Sequence, residues 1–370
     1  MECANSFLAL LSRALKGGGI MIDNPYYSPE IQGPYELADI GDLQLEEGGT
    51  IRGCRLAYTT MGTLARDKSN AILVPTWYSG THRIMREVYI GKAHALNPER
   101  YFIIVVNQIG GGVSSSPHNT PFPAGMANFP RVRIGDDVQA QHRLLTEKFG
   151  IERLALVVGG SMGAQQTYEW AVRYPDMVQR AAPIAATAKN AVHDFLSMET
   201  LIEAITSDPG YNGGWYKSPA DVRHGLHRHA KMWAVMGWSP AFFSRERFRA
   251  LGFSSLEDFT TNFMYGYFGV MDPNDLLCMA WKWQRGDVSR ITGGDLGQAL
   301  RRIRAKTFVM PIDSDMFFPP SDCELEQKLI PNSELRPIHT VDGHLGLFGA
   351  DPEYIGQVDR HLHELLATPV

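Results

Sequence analysis

The chain has 370 residues, 44% of them hydrophobic, enough to bury a sizeable core as one large domain or as a core with an insertion. A formal charge of −5 leaves no basic stripe for nucleic acid, and there is no acidic tail or polybasic block. Cys3, Cys54, Cys278 and Cys323 are far apart and form no C-x-x-C pair, which predicts reduced thiols in a cytoplasmic protein and neither a disulfide frame nor a zinc site.

In chain order, "FLALLSRALKGGGI" (7–20) is interrupted by Arg13 and Lys16, lacks a basic leader and a small-residue cleavage site, and is too short to span a bilayer. Residues 1–20 therefore read as an N-terminal extension, with Met21 as an alternative start, and no membrane partner is expected. Residues 51–60 follow turn-forming Gly48 and Gly49 and predict a strand. "AILVPTW" (71–77) and "YFIIVVNQ" (101–108) are short, continuous apolar runs, as in strands buried on both faces, with helical spacing over 86–96 between them. Residues 136–149 predict a helix with Asp136 as N-cap and Val138, Leu144, Leu145 and Phe149 near one face; Asp136 and Asp137 read as capping groups, not an acid/base pair. A strand over 154–160, a helix over 162–174 and a strand over 180–186 follow.

The alternation then stops. Residues 187–300 are rich in Trp, Met, Phe and His, with helical patterns at 218–236 and 274–284. It resumes with strands at 305–312 and 334–340 and a closing helix near 352–367. Alternating strands and helices predict an α/β fold with a mostly parallel, doubly wound sheet. Its core spans 21–186 and 301–370, and 187–300 forms a helical lid insertion.

Gly159-Gly160-Ser161-Met162-Gly163 fits G-x-S-x-G between a predicted strand and a predicted helix, the context in which the motif holds a nucleophile. A tight turn there forces the serine backbone into strain and lifts its hydroxyl above the sheet, with the Met162 N–H aimed where an oxyanion would form. The competing reading, a serine N-cap, needs no partners downstream. Partners are present: Asp313 or Asp315 after the strand at 305–312, and His344 in the loop after the last strand, in the order serine, acid, histidine. Position alone leaves the two aspartates level, and His339 lies within the strand pattern.

"IERLALVVGGSMGAQQTYEWAVRYPDMVQRAAPIAATA", "DSDMFFPPSD", "DGHLGLF" and "YFIIVVNQIGGG" together resemble the homoserine O-acetyltransferase family of α/β-hydrolases. The similarity covers most of 45–190 and 300–367 and is weak across the insertion. It implies the α/β-hydrolase fold, selects Asp315 as the acid, and implies a second oxyanion donor at the N–H of Trp77, with Tyr78 one residue on as the alternative register. It also implies a homodimer paired through the insertion.

Two departures bear on what receives the acyl group. That family carries an Asp after the catalytic histidine to meet the ammonium of homoserine; here the position is Leu345. An Arg that holds the carboxylate there corresponds to Lys231 in "HAKMW", which keeps the charge and loses the planar fork. With the amino-acid site dismantled, water becomes the expected acceptor. The expectation is a serine hydrolase acting on small carboxylic esters with short, acetyl-sized acyl groups. The alternative is an acyl-CoA-dependent O-acyltransferase of the homoserine type.

Weaker signals complete the reading. On a helix His224 and His227 share a face while His229 points elsewhere, and no neighbouring carboxylate completes a set; this predicts a solvated or partner-facing helix, with no metal and no cofactor. "IGGGVSSSP" (109–117) reads as a mobile loop near the pocket, because no helix start follows it. "KMWAVMGW" and "NFMYGYFGVM" read as core or interface, or as the apolar wall of an acyl pocket.

Overall fold

Ala71–Pro75 (β3), Phe102–Val106 (β4) and Leu156–Gly160 (β5) are buried at every position, which a strand achieves only with a layer packed on each face. They form the centre of an eight-stranded sheet in the computed structural model, which describes residues 21–370; the expectation for residues 1–20 lies outside that range. The other strands are Glu36–Gln44 (β1), Thr50–Met61 (β2), Arg180–Ile184 (β6), Lys306–Val309 (β7) and Ser333–Leu335 (β8). Their order is β1-β2-β4-β3-β5-β6-β7-β8, antiparallel for β1–β2 and β2–β4 and parallel from β4 onward.

Eight helices matter to the site: His82–Tyr89 (α1), Ile134–Arg143 (α2), Met162–Arg173 (α3), Val192–Thr206 (α4), Arg223–Gly237 (α5), Pro273–Gln284 (α6), Pro320–Gln327 (α7) and Pro352–Ala367 (α8). One apolar cluster lies under the sheet, where Met85 and Tyr89 of α1 and Tyr354, Val358 and Leu362 of α8 cover Ile72, Val74 and Val158. A larger cluster lies above it and runs without a break from Leu73 and Val157 through α3 into Trp233, Trp238 and Phe242 of the segment between β6 and β7. That segment carries α4, α5 and α6 and adds no strand to the sheet. Among the described residues, no helix is long and apolar enough to cross a membrane.

Several local expectations are corrected. The helix sought over 86–96 is α1, begun at His82 because the Thr81 hydroxyl accepts from the Arg83 N–H (3.3 Å), and it ends at Tyr89. Asp136 does not precede its helix: α2 starts at Ile134, and Asp136 caps from inside the first turn, accepting from the N–H groups of Arg133 (2.7 Å) and Glu46 (2.9 Å). Asp137 is not a capping group. It is fully buried, pairs with Lys282 of α6, and accepts from the Ile109 N–H (2.8 Å).

The loop 109–117 is pinned and buried. Ser114 Oγ donates to the Asn107 carbonyl (2.7 Å) and accepts from the Ala57 N–H (2.8 Å), while Ser116 Oγ accepts from the Gly112 N–H (2.7 Å). Gly112 sits at φ 97° with the Tyr27 ring 2.1 Å from where a Cβ would stand, so only glycine fits.

The Lys282–Asp137 pair fastens α6 to the core beneath it, and Lys282 also donates to the Ile109 carbonyl (2.7 Å). Removing one partner leaves the other charge buried and unpaired. Lys282→Met is expected to cost about 3–5 kcal/mol of unfolding free energy in a urea titration, and Lys282→Met combined with Asp137→Leu to recover most of it. A single variant as stable as the parent would contradict this account of the anchor.

Candidate active site

At the end of β5 the chain must reverse into α3 within one residue, and Ser161 takes the bend at φ 52°, ψ −126°. A non-glycine residue holds such a conformation only when its surroundings impose it. Here the Ser161 N–H donates to the Ile184 carbonyl on β6 (2.9 Å), and the Ser161 carbonyl accepts from the Ala164 (2.8 Å) and Gln165 (3.1 Å) N–H groups. The flanking glycines allow it by close contact: a Cβ on Gly159 would stand 2.4 Å from the Gly163 carbonyl carbon, and one on Gly163 would stand 2.5 Å from the Pro75 carbonyl oxygen.

The Ser161 hydroxyl lies 2.9 Å from His344 Nε2, and His344 Nδ1 lies 2.7 Å from Asp315 Oδ2. The carboxylate can only accept, so Nδ1 carries the proton and Nε2 turns its lone pair to the hydroxyl. Asp315 is fixed in turn by the N–H groups of Phe317 (2.8 Å) and Phe318 (3.1 Å) at its Oδ1. His344 sits in the short helical turn Gly343–Phe348, and Asp315 in the loop between β7 and α7. Asp313 belongs to a separate, exposed pair: its Oδ2 is 3.0 Å from His339 Nδ1. The two aspartates that position could not separate are thus assigned to two different histidines.

Met162 opens α3 beside the hydroxyl, and its N–H has no hydrogen-bond partner among the described residues. Trp77 and Tyr78 follow β3, and neither of their N–H groups has a partner among the described residues. The loop that carries them is held at the Thr76 carbonyl, which accepts from Gln108 Nε2 (2.6 Å) and Gln166 Nε2 (3.1 Å). The Trp77 ring packs under the site against Tyr89 and Phe348. The Tyr78 side chain points into the insertion, where its hydroxyl donates to the Leu276 carbonyl (3.0 Å) and lies 3.2 Å from His229 Nε2. His229 is therefore a core histidine, not part of a solvated face; burial pushes its imidazole down to about 4.

Four rings close over His344: Trp233 of α5 (6.2 Å between centroids), which lies in the stretch read as core or pocket wall, and Trp283 of α6 (6.3 Å), Phe317 (5.2 Å) and Phe318 (5.7 Å), which residue type did not single out. The signal in the sequence was the aromatic density of the insertion and of "DMFFPP", without a phase to say which rings turn inward. Ser161 is left 2% exposed.

Lys231 is not at this site. It lies two residues before Trp233, about 200° round the helix, where it is exposed with its Nζ over the Tyr265 ring (5.9 Å). Leu345 is buried and packs on α5 at Gly237, whose added Cβ would come 2.8 Å from Leu345 Cδ1. The place next to His344 is filled by apolar contact.

One further carboxyl lies in this region. Asp194 of α4 is buried, accepts from the Ala191 N–H (3.2 Å) with Oδ2, and has no partner for Oδ1 among the described residues. Desolvation pushes its carboxyl up to about 7, opposed by the Ala191 N–H and reinforced by the charges of Asp315 and Asp322. The unfolded chain gives up this proton first, so the group's contribution is fully present below about pH 4 and is lost as the pH rises to about 7. The asparagine variant does not titrate there. The unfolding free energy of Asp194→Asn is therefore expected to gain on that of the parent across this interval; a difference that stays flat with pH would contradict the assignment.

A mostly parallel sheet with a strained serine at the end of a central strand, joined to histidine and aspartate from later loops, is the arrangement of an α/β-hydrolase. The family model described as alpha/beta hydrolase fold matches residues 72–348, and the chain belongs to that family. It is 62% identical over 346 residues to the ethyl acetate hydrolase of Pseudomonas veronii, covering 94% of this chain and 99% of that one. The solved structure of an acetylester hydrolase from Corynebacterium glutamicum superposes with a TM-score of 0.93 at 59% identity, covering 94% and 100%. A homoserine O-acetyltransferase of Thermobifida fusca is more distant, 32% identical over 352 residues, covering 88% and 91%.

Proposed function

We propose that the chain is a carboxylic ester hydrolase for short acyl groups, acetyl above all, that works through an acyl-serine and hands the acyl group to water. The observation that carries the reading is the unbroken relay from Ser161 Oγ through His344 to Asp315, at 2.9 and 2.7 Å. The high identity to an ethyl acetate hydrolase supports the acyl size.

In this reading His344 Nε2 takes the Ser161 proton as Oγ attacks the ester carbonyl, while Asp315 orients the ring and stabilises the imidazolium. The backbone N–H groups of Met162 and of Trp77, with Tyr78 as the neighbouring register, meet the oxyanion; each such donor is worth about 3–4 kcal/mol of barrier. The imidazolium returns its proton to the leaving alcohol. Water then enters and attacks the acyl carbonyl as His344 removes its proton, and the imidazolium returns that proton to Ser161 Oγ as the carboxylic acid leaves. The steps use no cofactor.

The acceptor is argued from Leu345. A substrate ammonium brought beside that side chain would be buried without a counter-charge, at a cost of several kcal/mol (about 2–7 for even a neutral polar group), whereas water needs no counter-charge. Residues 187–300 serve as the lid in this account. The strongly exposed Val192, Leu196 and Val235 on its helices support a homodimer formed through it. Unpaired Cys54, Cys278 and Cys323 suit a reducing, cytoplasmic setting.

Purified protein is expected to hydrolyse small acetate esters, and Ser161→Ala to lower kcat on the order of 10⁴-fold or more. Thiol release from acetyl-CoA that depends strictly on homoserine, with negligible ester hydrolysis, would favour the O-acyltransferase and overturn the proposal.

A further inference from the structure

Trp233 and Trp283 come from two different helices of the insertion and meet over His344, 5.6 Å apart and each about as far from the imidazole. Both indole Nε1–H groups are buried without a hydrogen-bond partner among the described residues. An unsatisfied buried donor costs roughly 1–3 kcal/mol, so two of them on rings that border a reacting imidazole call for an explanation.

A third tryptophan provides the contrast. Trp238 also buries an unpartnered Nε1–H, but it sits in a phenylalanine cluster with the Phe259 ring set steeply to it at 71°, an arrangement in which a π face can accept. The rings around Trp233 and Trp283 offer no such edge-to-face neighbour: Tyr78, Phe268, Phe317, Phe318 and His344 lie between 18° and 60° to whichever of the two they meet. These two donors lack an acceptor among the described residues.

His344 Nε2 is where the proton is exchanged with the leaving alcohol and then with water, so the oxygen beside it has lone pairs to offer on the side of the insertion. We infer that the Trp233 and Trp283 indole N–H groups bind the alcohol-side oxygen of the ester, and afterwards the hydrolytic water in the same place. This rests on the ester hydrolase reading and deepens it. The aromatic cage is a polar recognition site for one oxygen, and it distinguishes an oxygen ester from an isosteric ketone. The carbonyl oxygen is left to the backbone donors at Met162 and Trp77. No bond is made or broken by the indoles.

The test separates this inference from the reading beneath it. The chain has seven tryptophans, few enough for their indole N–H resonances to be assigned by single replacements. In Ser161→Ala protein with ¹⁵N-labelled tryptophan, ethyl acetate is compared with 2-pentanone, which has the same shape with CH₂ in place of the alkoxy oxygen. The expected result is a downfield shift of the Trp233 and Trp283 indole protons with the ester only, with Trp238 unmoved as the internal reference.

In the enzyme with Ser161 intact, replacing either tryptophan by 3-benzothienylalanine keeps the ring volume and removes the N–H. It is expected to raise KM for ethyl acetate about tenfold and to leave inhibition by 2-pentanone unchanged. Equal indole shifts with both ligands, or an unchanged KM in an actively hydrolysing replacement, would overturn the inference and leave the esterase reading standing. Ester-specific indole shifts in a protein whose unmutated form turns over no ester would fault the esterase reading alone.

Discussion

Ser161 is held at φ 52° between β5 and α3, and the rest of the site is arranged around that one bent residue. The conformation costs of order 1–3 kcal/mol, set against a hydrogen bond to β6, the first turn of α3 and the seat of Gly163 on the Pro75 carbonyl. A serine with ordinary helical or extended backbone would lay its hydroxyl along the turn. Bent, it stands above the carboxyl ends of the parallel strands, the edge to which the loops after β7 and β8 deliver Asp315 and His344. The parallel sheet therefore does more than bury apolar surface: it gathers three residues that lie far apart in the chain.

The insertion completes what the sheet begins. Its Trp233 and Trp283 join Phe317 from the loop after β7 in packing around the buried imidazole, and its apolar contacts run continuously into the core. In so closed a space the hydrogen bonds of the relay act in a low dielectric and are correspondingly strong. The position of α6 matters most, because Lys282, anchored on Asp137, is the immediate neighbour of Trp283. A buried ion pair thus helps to set the aromatic ring of the next residue beside His344.

Much of this was legible in the sequence, and the parts that were not have identifiable causes. The elbow declared itself because glycines at 159 and 163 and a strand–turn–helix pattern are local requirements. The central strands did so because burial on two faces leaves nothing but apolar residues. β1 went unrecognised: it is an edge strand carrying Glu36, Asp39 and Asp42 with a bulge at Gly41, so its apolar residues never form a run. α4 was missed for the opposite reason, since Val192, Phe195 and Leu196 face out while Met198, Leu201 and Ile205 face in, which blurs any one-sided stripe. Helical spacing sets His229 apart from His224 and His227 but does not show its burial, because its partners, Tyr78 and the Leu201 carbonyl, are distant in the chain. Helical phase alone sets Lys231 opposite Trp233; it was placed at the site by weak alignment and not by phase.

The central claim is that Ser161 is the nucleophile of this relay. It is tested most directly by treating the protein with a 4-nitrophenyl phosphonate ester and locating the label by peptide mass spectrometry while ester turnover is followed. The account predicts one phosphonyl group per chain, on Ser161, with turnover lost in proportion to labelling. A label on another side chain that tracks the loss, or full labelling of Ser161 with turnover retained, would contradict it.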